Sequence, residues 1–209
     1  MVGESEAKKL LVATHNRGKI AEFAEMLKGL ELAWLSLDDA AVTMDVAETG
    51  HTFQEIAILK AKTYAAAAGL LTLADDSGLE VDALEGRPGI YTARYGGRGL
   101  THVERYQLLL RQLRHVPWEQ RTARFRCVVA LAGPDGTLLG TAEGVCEGRI
   151  ALEPAGEGGF GYDPVFFLPE RGVTMAQVGS AVKHQISHRG QALRAIEPLL
   201  RRALRGLPG

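Results

Sequence analysis

Leu70-Leu71-Thr72-Leu73-Ala74-Asp75-Asp76-Ser77-Gly78 is the stretch on which the reading of this chain turns. Its apolar half has the length and composition of a buried strand. Its polar half reads as a tight turn, because Asp, Ser and Gly dominate turns. Ionised carboxylates at the end of a buried strand are costly unless positive charge lies against them. A hard divalent cation with oxygen ligands, Mg²⁺ carried by a polyphosphate above all, offsets that cost. Solvated turn residues are the plainer reading, and the rest of the chain has to separate the two.

Upstream, Thr52-Phe53-Gln54-Glu55 is a capping box opening a helix that buries Phe53, Ile56, Leu59 and Tyr64. Before it, Leu10 to Ala13 reads as a short buried strand, and Thr14 to Lys19 turns into a helix carrying Ile20, Phe23, Met26 and Leu27 on one face. Gly29 stops that helix, and a second strand follows within Glu31 to Leu37. Downstream, a strand over Glu80 to Ala83 is expected on the far side of the acidic turn. Gly86 to Gly99, with five glycines and three arginines, is expected as a long loop or flap. Thr101 to Arg114 reads as a helix. Ala123, Phe125, Cys127 and Val129 alternate with Thr122, Arg124, Arg126 and Val128, which predicts a strand with one apolar and one largely polar face, and Pro134-Asp135-Gly136 turns it into a hairpin partner running to about Arg149. Ser187 caps a last helix with Ala192, Leu193, Ile196, Leu199 and Leu200 as its buried stripe. Helices and strands alternate early and a hairpin follows, so the expected class is α/β with a mixed sheet.

At 209 residues the chain is expected to form a single domain over 1–209, residues 1–8 being an N-terminal extension. A net charge of −1 supplies no global field toward nucleic acid or anionic membrane. The longest apolar run, Tyr64 to Ala74, is too short to span a bilayer, and the polar, acidic Met1 to Glu6 is no signal peptide. Cys127 and Cys146 have no metal-ligand spacing. A cytoplasmic protein with reduced thiols is expected. Gly156-x-Gly158-x-x-Gly161 matches a dinucleotide fingerprint as a string, but Tyr162-Asp163-Pro164-Val165-Phe166 after it cannot open a helix. Gly18-Lys19 lacks the Ser or Thr of a P-loop, and His184 and His188 lie across the Ser187 helix boundary, which weakens a zinc reading.

The remaining candidates form one chemical kit. Thr14-His15-Asn16-Arg17-Gly18-Lys19 lies where a strand feeds a helix, so main-chain N–H groups and the helix dipole favour an anion there. Lys19 adds a point charge suited to phosphate, and Lys60 on the second helix offers another. Glu48 can pair with Asp76 around a metal. Phe160, in a glycine-rich loop, can stack on a flat ring, and Lys183, His188 and Arg189 can donate to ring acceptors or phosphates. Anion cradle, metal carboxylates and stacking aromatic together point to a nucleoside polyphosphate.

Four segments carry a resemblance: Thr14-x-Asn16-x-x-Lys19, Ala74-Asp75-Asp76-Ser77-Gly78-Leu79, Gly158-Gly159-Phe160-Gly161-Tyr162-Asp163-Pro164 and Ser187-His188-Arg189-Gly190. Pro88-Gly89-Ile90-Tyr91-x-Ala93-Arg94-Tyr95 also fits. In order and spacing, from about residue 9 to residue 200, they resemble the Ham1/RdgB family, the inosine triphosphate pyrophosphatases. The resemblance implies an elongated α/β fold with two lobes and a central cleft, a homodimer, and Mg²⁺ dependence. It implies hydrolysis of noncanonical purine nucleoside triphosphates (ITP, dITP, XTP) to the monophosphate and pyrophosphate. It makes Asp76 the general base and a metal ligand, with Glu48 the second metal-site acid. Thr14 to Lys19 would hold the triphosphate, and Ser77, Lys60 and Lys183 would contact substrate. Phe160, Gly161, Tyr162 and Asp163, with His188 and Arg189, would hold the purine. Ile56 stands where the family usually has Asn, and Val182 where an acidic residue is common. A pyrophosphatase of other base specificity, a non-catalytic nucleotide sensor, and a nucleic-acid binder using Arg87, Arg94, Arg98 and the Arg121–Arg126 strand are the competing readings.

Overall fold

The structure is a computed structural model that describes residues 7–15 and 17–206. Its strands form a seven-stranded sheet in the order β2-β1-β3-β4-β5-β6-β7. β1 (Lys8–Val12) pairs in parallel with β2 (Leu32–Leu35) and with β3 (Thr72–Val81), through the helices α1 (Arg17–Met26) and α2 (Phe53–Ala68). After α3 (His102–Gln112) the hairpin β4 (Thr122–Ala132) and β5 (Leu138–Ile150) follows. The short strand β6 (Phe166–Leu168) then adds to β5, and β7 (Val173–Thr174) to β6, both antiparallel. α4 (Ser180–Ile186) and α5 (His188–Gly206) complete the chain. The sheet is mixed, as the alternation of elements predicts.

The chain divides into two compact units. The first holds Met1–Asp76, Val128–Glu143 and Ala192–Gly209; the second holds Ser77–Cys127 and Gly144–Gln191. In the first unit the core includes Leu10, Leu11, Phe23, Ile56 and Leu73, with Ala192, Ile196 and Leu200 of α5. Ile56 is fully buried, so an apolar residue suits a position that meets no water. In the second unit Leu79, Val81, Leu109, Phe125, Phe166 and Met175 form one apolar cluster.

Three expectations are corrected. The acidic stretch is not a turn between two strands: β3 runs unbroken through Asp75, Asp76, Ser77 and Gly78. Two lysines lie against the carboxylates, so the acids can remain in an extended, enclosed strand where solvated ones would have turned outward. Gly86 to Gly99 is not all loop, since Gly89–Arg94 form a 3-10 helix and Glu80 bridges to Pro88. Lys8 is no part of an extension; it opens β1 opposite Leu32, and its ammonium donates to the Leu204 carbonyl. Residues 1–6 lie outside the described residues. The caps at Thr52 and Ser187 fall where the sequence puts them, Thr52 accepting from Glu55 N–H and Ser187 Oγ from Gly190 N–H, and Thr101 also caps α3 by accepting from Glu104 N–H. Glu55 returns its bond to His51 N–H, one residue before the cap, whereas Glu104 closes a full capping box with Thr101.

Candidate active site

In the first unit, β1 ends at Val12 and α1 begins at Arg17, with no acidic residue in its first turn to compete for an anion. Between them His15 Nδ1 lies 2.8 Å from Asp38 Oδ1, and Thr14 takes Leu37 N–H on its carbonyl. Asn16 lies outside the described residues. Lys19 reaches from α1 to Asp75, its Nζ 3.0 Å from each carboxylate oxygen. Asp75 is 2 % exposed, and this ion pair is the role that its sequence position left open.

Successive side chains leave a strand on opposite sides, and Asp76 meets a different set of partners from Asp75. Lys60, from α2, donates to the Asp75 carbonyl at 2.7 Å, and its Nζ lies 3.8 Å from Asp76 Oδ1 and 3.8 Å from Glu48 Oε1. Glu48 belongs to a segment held on α2: Val46 N–H donates to the Tyr64 hydroxyl at 3.2 Å. A Cβ at Gly50 would lie 2.9 Å from Glu55 Cβ, so only glycine permits that approach.

Burial pushes the Asp76 carboxyl up to about 7; Lys60 and Lys19 pull it down while Asp75 and Glu48 push it up. Its Oδ2 is buried and accepts no hydrogen bond. An enclosed carboxylate with an oxygen that accepts no hydrogen bond fits a hard cation. Among the described residues no three His, Cys, Asp or Glu side chains converge to cage one. That suits Mg²⁺, which is commonly held by one or two carboxylates and completed by substrate phosphates.

The raised value has a stability consequence. Unfolded Asp titrates near 3.9, so between about pH 4 and 7 the folded, metal-free protein binds the extra proton and its stability falls as pH rises. The contribution is fully present below pH 4 and lost above pH 7, at up to ~1.4 kcal/mol per pH unit. Urea unfolding in EDTA should therefore show Asp76→Asn gaining on the wild type from pH 5 to pH 8. Parallel pH profiles would contradict the assignment.

The second unit carries a different chemistry. The 156–163 loop folds onto one carboxylate: Asp163 Oδ2 accepts from Phe160 N–H at 2.8 Å and from Lys183 Nζ at 2.7 Å. Gly159 has φ +74°, and a Cβ there would lie 2.1 Å from the same oxygen. The wrap displays the Phe160 ring, 49 % exposed. Lys183 Nζ lies 4.7 Å and Arg189 Cζ 5.6 Å from the ring centroid. Arg189, 2 % exposed, donates from Nη2 to Ser77 Oγ at 3.2 Å. His188 stacks on Phe125 at 4.8 Å and 14°. Tyr162 is buried in the apolar cluster and donates to the Thr92 carbonyl at 3.2 Å. Phe160, Lys183 and Arg189 thus form a platform with donors, while Asp163 and the Tyr162 side chain support it. Thr92 and Gly159, which no motif chemistry singles out, belong to that support.

The arginines of β4 are occupied: Arg124 pairs with Asp82 at 3.0 Å and Glu147 at 3.2 Å, and Arg126 with Glu80 at 3.3 Å.

Comparison with known proteins finds one family. A model of the Ham1 family matches residues 10–199. A Geobacillus kaustophilus protein named dITP/XTP pyrophosphatase is 50% identical over 192 residues, covering 91% of this chain and 93% of its own. A Thermus thermophilus protein of the same name is 52% identical, covering 90% of this chain and 89% of its own. Among solved structures, a HAM1 protein from Coxiella burnetii superposes with a TM-score of 0.85 at 41% identity, covering 93% of this chain and 99% of that one.

Proposed function

This chain belongs to the Ham1 family, and we propose that it hydrolyses noncanonical purine nucleoside triphosphates (ITP, dITP and XTP) to the monophosphate and pyrophosphate, removing them from the nucleotide pool. The observation that carries the reading is Asp76: a buried carboxyl whose Oδ2 accepts no hydrogen bond, with Lys60, which also reaches Glu48, 3.8 Å from its other oxygen. A general base must lie within reach of the proton it takes, and this oxygen is the one the site leaves for that task. Asp76 takes the proton of a water whose oxygen bonds to the α-phosphorus; the bond from that phosphorus to the bridging oxygen breaks, and pyrophosphate leaves.

The strand-to-helix loop at Thr14 and His15 and the ammonium groups of Lys19 and Lys60 receive the phosphates. A divalent cation, Mg²⁺ in this reading, would be held by Asp76 and Glu48 and would neutralise charge developing on phosphate oxygens. Phe160 stacks on the purine. Arg189 and Lys183 donate toward its O6 and N7 acceptors, which hypoxanthine and xanthine present and adenine's 6-amino group does not. A homodimer in the cytoplasm is the proposed setting. Among the described residues no helix is long and apolar enough to cross a membrane. The pairing of the β4 arginines with acids disfavours nucleic acid as a partner.

The test is pyrophosphate release from ITP, dITP, XTP, GTP and ATP, with Mg²⁺ and with EDTA. Fast, metal-dependent release from the first three is expected, and comparable rates on all five would break the specificity. Arg189→Ala should lower the ITP-over-ATP ratio of kcat/KM by ~10-fold or more, since a site built to donate rejects a mismatched edge strongly. An unchanged ratio would remove Arg189 from base reading.

A further inference from the structure

A cation already stands between the two carboxylates assigned to the metal. Lys60 Nζ is 3.8 Å from Glu48 Oε1 and 3.8 Å from Asp76 Oδ1, and it donates to the Asp75 carbonyl at 2.7 Å. That last bond ties the ammonium to the main chain of β3 whatever the carboxylates do. The Lys60 side chain is 15 % exposed, so bulk ions screen it poorly. A divalent ion entering between Glu48 and Asp76 would meet this ammonium at close range, in a setting where like charges repel strongly. Glu48 and Asp76 would be its carboxylate ligands, and water or substrate phosphate would have to supply the rest of its shell. A triphosphate changes both conditions at once. Its oxygens complete the metal's shell, and they offer the ammonium other acceptors.

We propose that Lys60 is the resident counter-ion of this site: it holds Glu48 and Asp76 together in the nucleotide-free protein, keeps free divalent metal out, and turns to the phosphates when the nucleotide carries the metal in. Metal binding is then contingent on substrate, and the protein has no standing metal site. This rests on the reading of Glu48 and Asp76 as metal acids given above.

The experiment is Mn²⁺ binding to the full chain, followed by loss of the free-ion paramagnetic resonance signal. It is run without nucleotide and with a non-hydrolysable α,β-methylene analogue of ITP. The wild type should bind Mn²⁺ weakly alone and tightly with the analogue. Lys60→Met should bind it alone at least tenfold more tightly than the wild type, and adding Asp76→Asn to that variant should abolish the gain. In EDTA, Lys60→Met should melt below the wild type, and Mn²⁺ should restore it. If Met does not fold, Lys60→Gln, which keeps a donor for the Asp75 carbonyl, takes its place. Lys60 variants that bind Mn²⁺ no more tightly than the wild type, beside analogue-dependent and Asp76-dependent binding in the wild type, would overturn the counter-ion role alone. Tight binding by the nucleotide-free wild type would overturn it too. No Asp76-dependent Mn²⁺ in any state would overturn the metal reading itself.

Discussion

Asp76→Asn is expected to lower kcat for ITP by ~10³-fold or more while the variant still binds nucleotide. Asn keeps the shape of Asp but cannot accept a proton, and a positioned general base contributes ~10²- to 10⁴-fold. Losing a metal carboxylate adds to the deficit. The protein should fold, because the exchange removes an ionisable group whose charged form burial disfavours. Single-turnover assays with ITP, paired with calorimetric binding of the α,β-methylene analogue, separate the outcomes. Near-normal turnover would remove Asp76 from the chemistry, and loss of nucleotide binding would make it a ligand anchor instead.

The role assigned to Asp76 depends on a feature that was only half legible. The candidate residues could be proposed from sequence because their chemistry is local: acids beside an apolar run, a strand feeding a helix, an aromatic among glycines. Their secondary structure could not. Asp-Asp-Ser-Gly has turn composition, but it lies in β3 between β1 and β4 in the sheet, where Lys19 and Lys60, from two separate helices, meet Asp75. No window of the sequence around residue 75 contains that information. The same holds for Gly86 to Gly99, where a 3-10 helix is supported by Thr92, whose Oγ1 accepts from Leu79 N–H at 2.8 Å and donates to the Gly89 carbonyl at 2.6 Å. The β4–β5 hairpin was legible from the alternation at the start of β4 and the Pro-Asp-Gly turn, which are local signals, whereas Cys127 to Ala132 are buried on both faces of the strand.

Asp163 shows the opposite limit. It lies inside a motif that marks it as purine-binding, yet its Oδ2 holds Phe160 N–H and Lys183. Motif membership locates a residue at a site without saying which way its atoms are spent. Asp75 and Asp76 make the same point: identical side chains, adjacent in sequence, one spent on Lys19 and the other left with an oxygen to spare.

Asp75→Ala is therefore expected to act on stability and on phosphate binding through Lys19. Removing one member of a buried ion pair costs ~3–5 kcal/mol. Lys19 is 23% exposed, so water can reach its ammonium, and the loss should fall at the low end, about 3 kcal/mol. For a chain of this length that lowers Tm by ~6–12 °C. KM for ITP should rise as well, because Lys19 loses the carboxylate that positions its ammonium. The double variant Lys19→Met, Asp75→Ala separates the two effects. With neither charge present the stability cost should be well below the sum of the single variants, the coupling being ~1–3 kcal/mol. KM should nevertheless stay high, since the phosphate cation is gone. Additive stability losses would mean that Lys19 and Asp75 do not act as a pair. A KM that recovers with stability would mean that Lys19 serves the fold and not the phosphate.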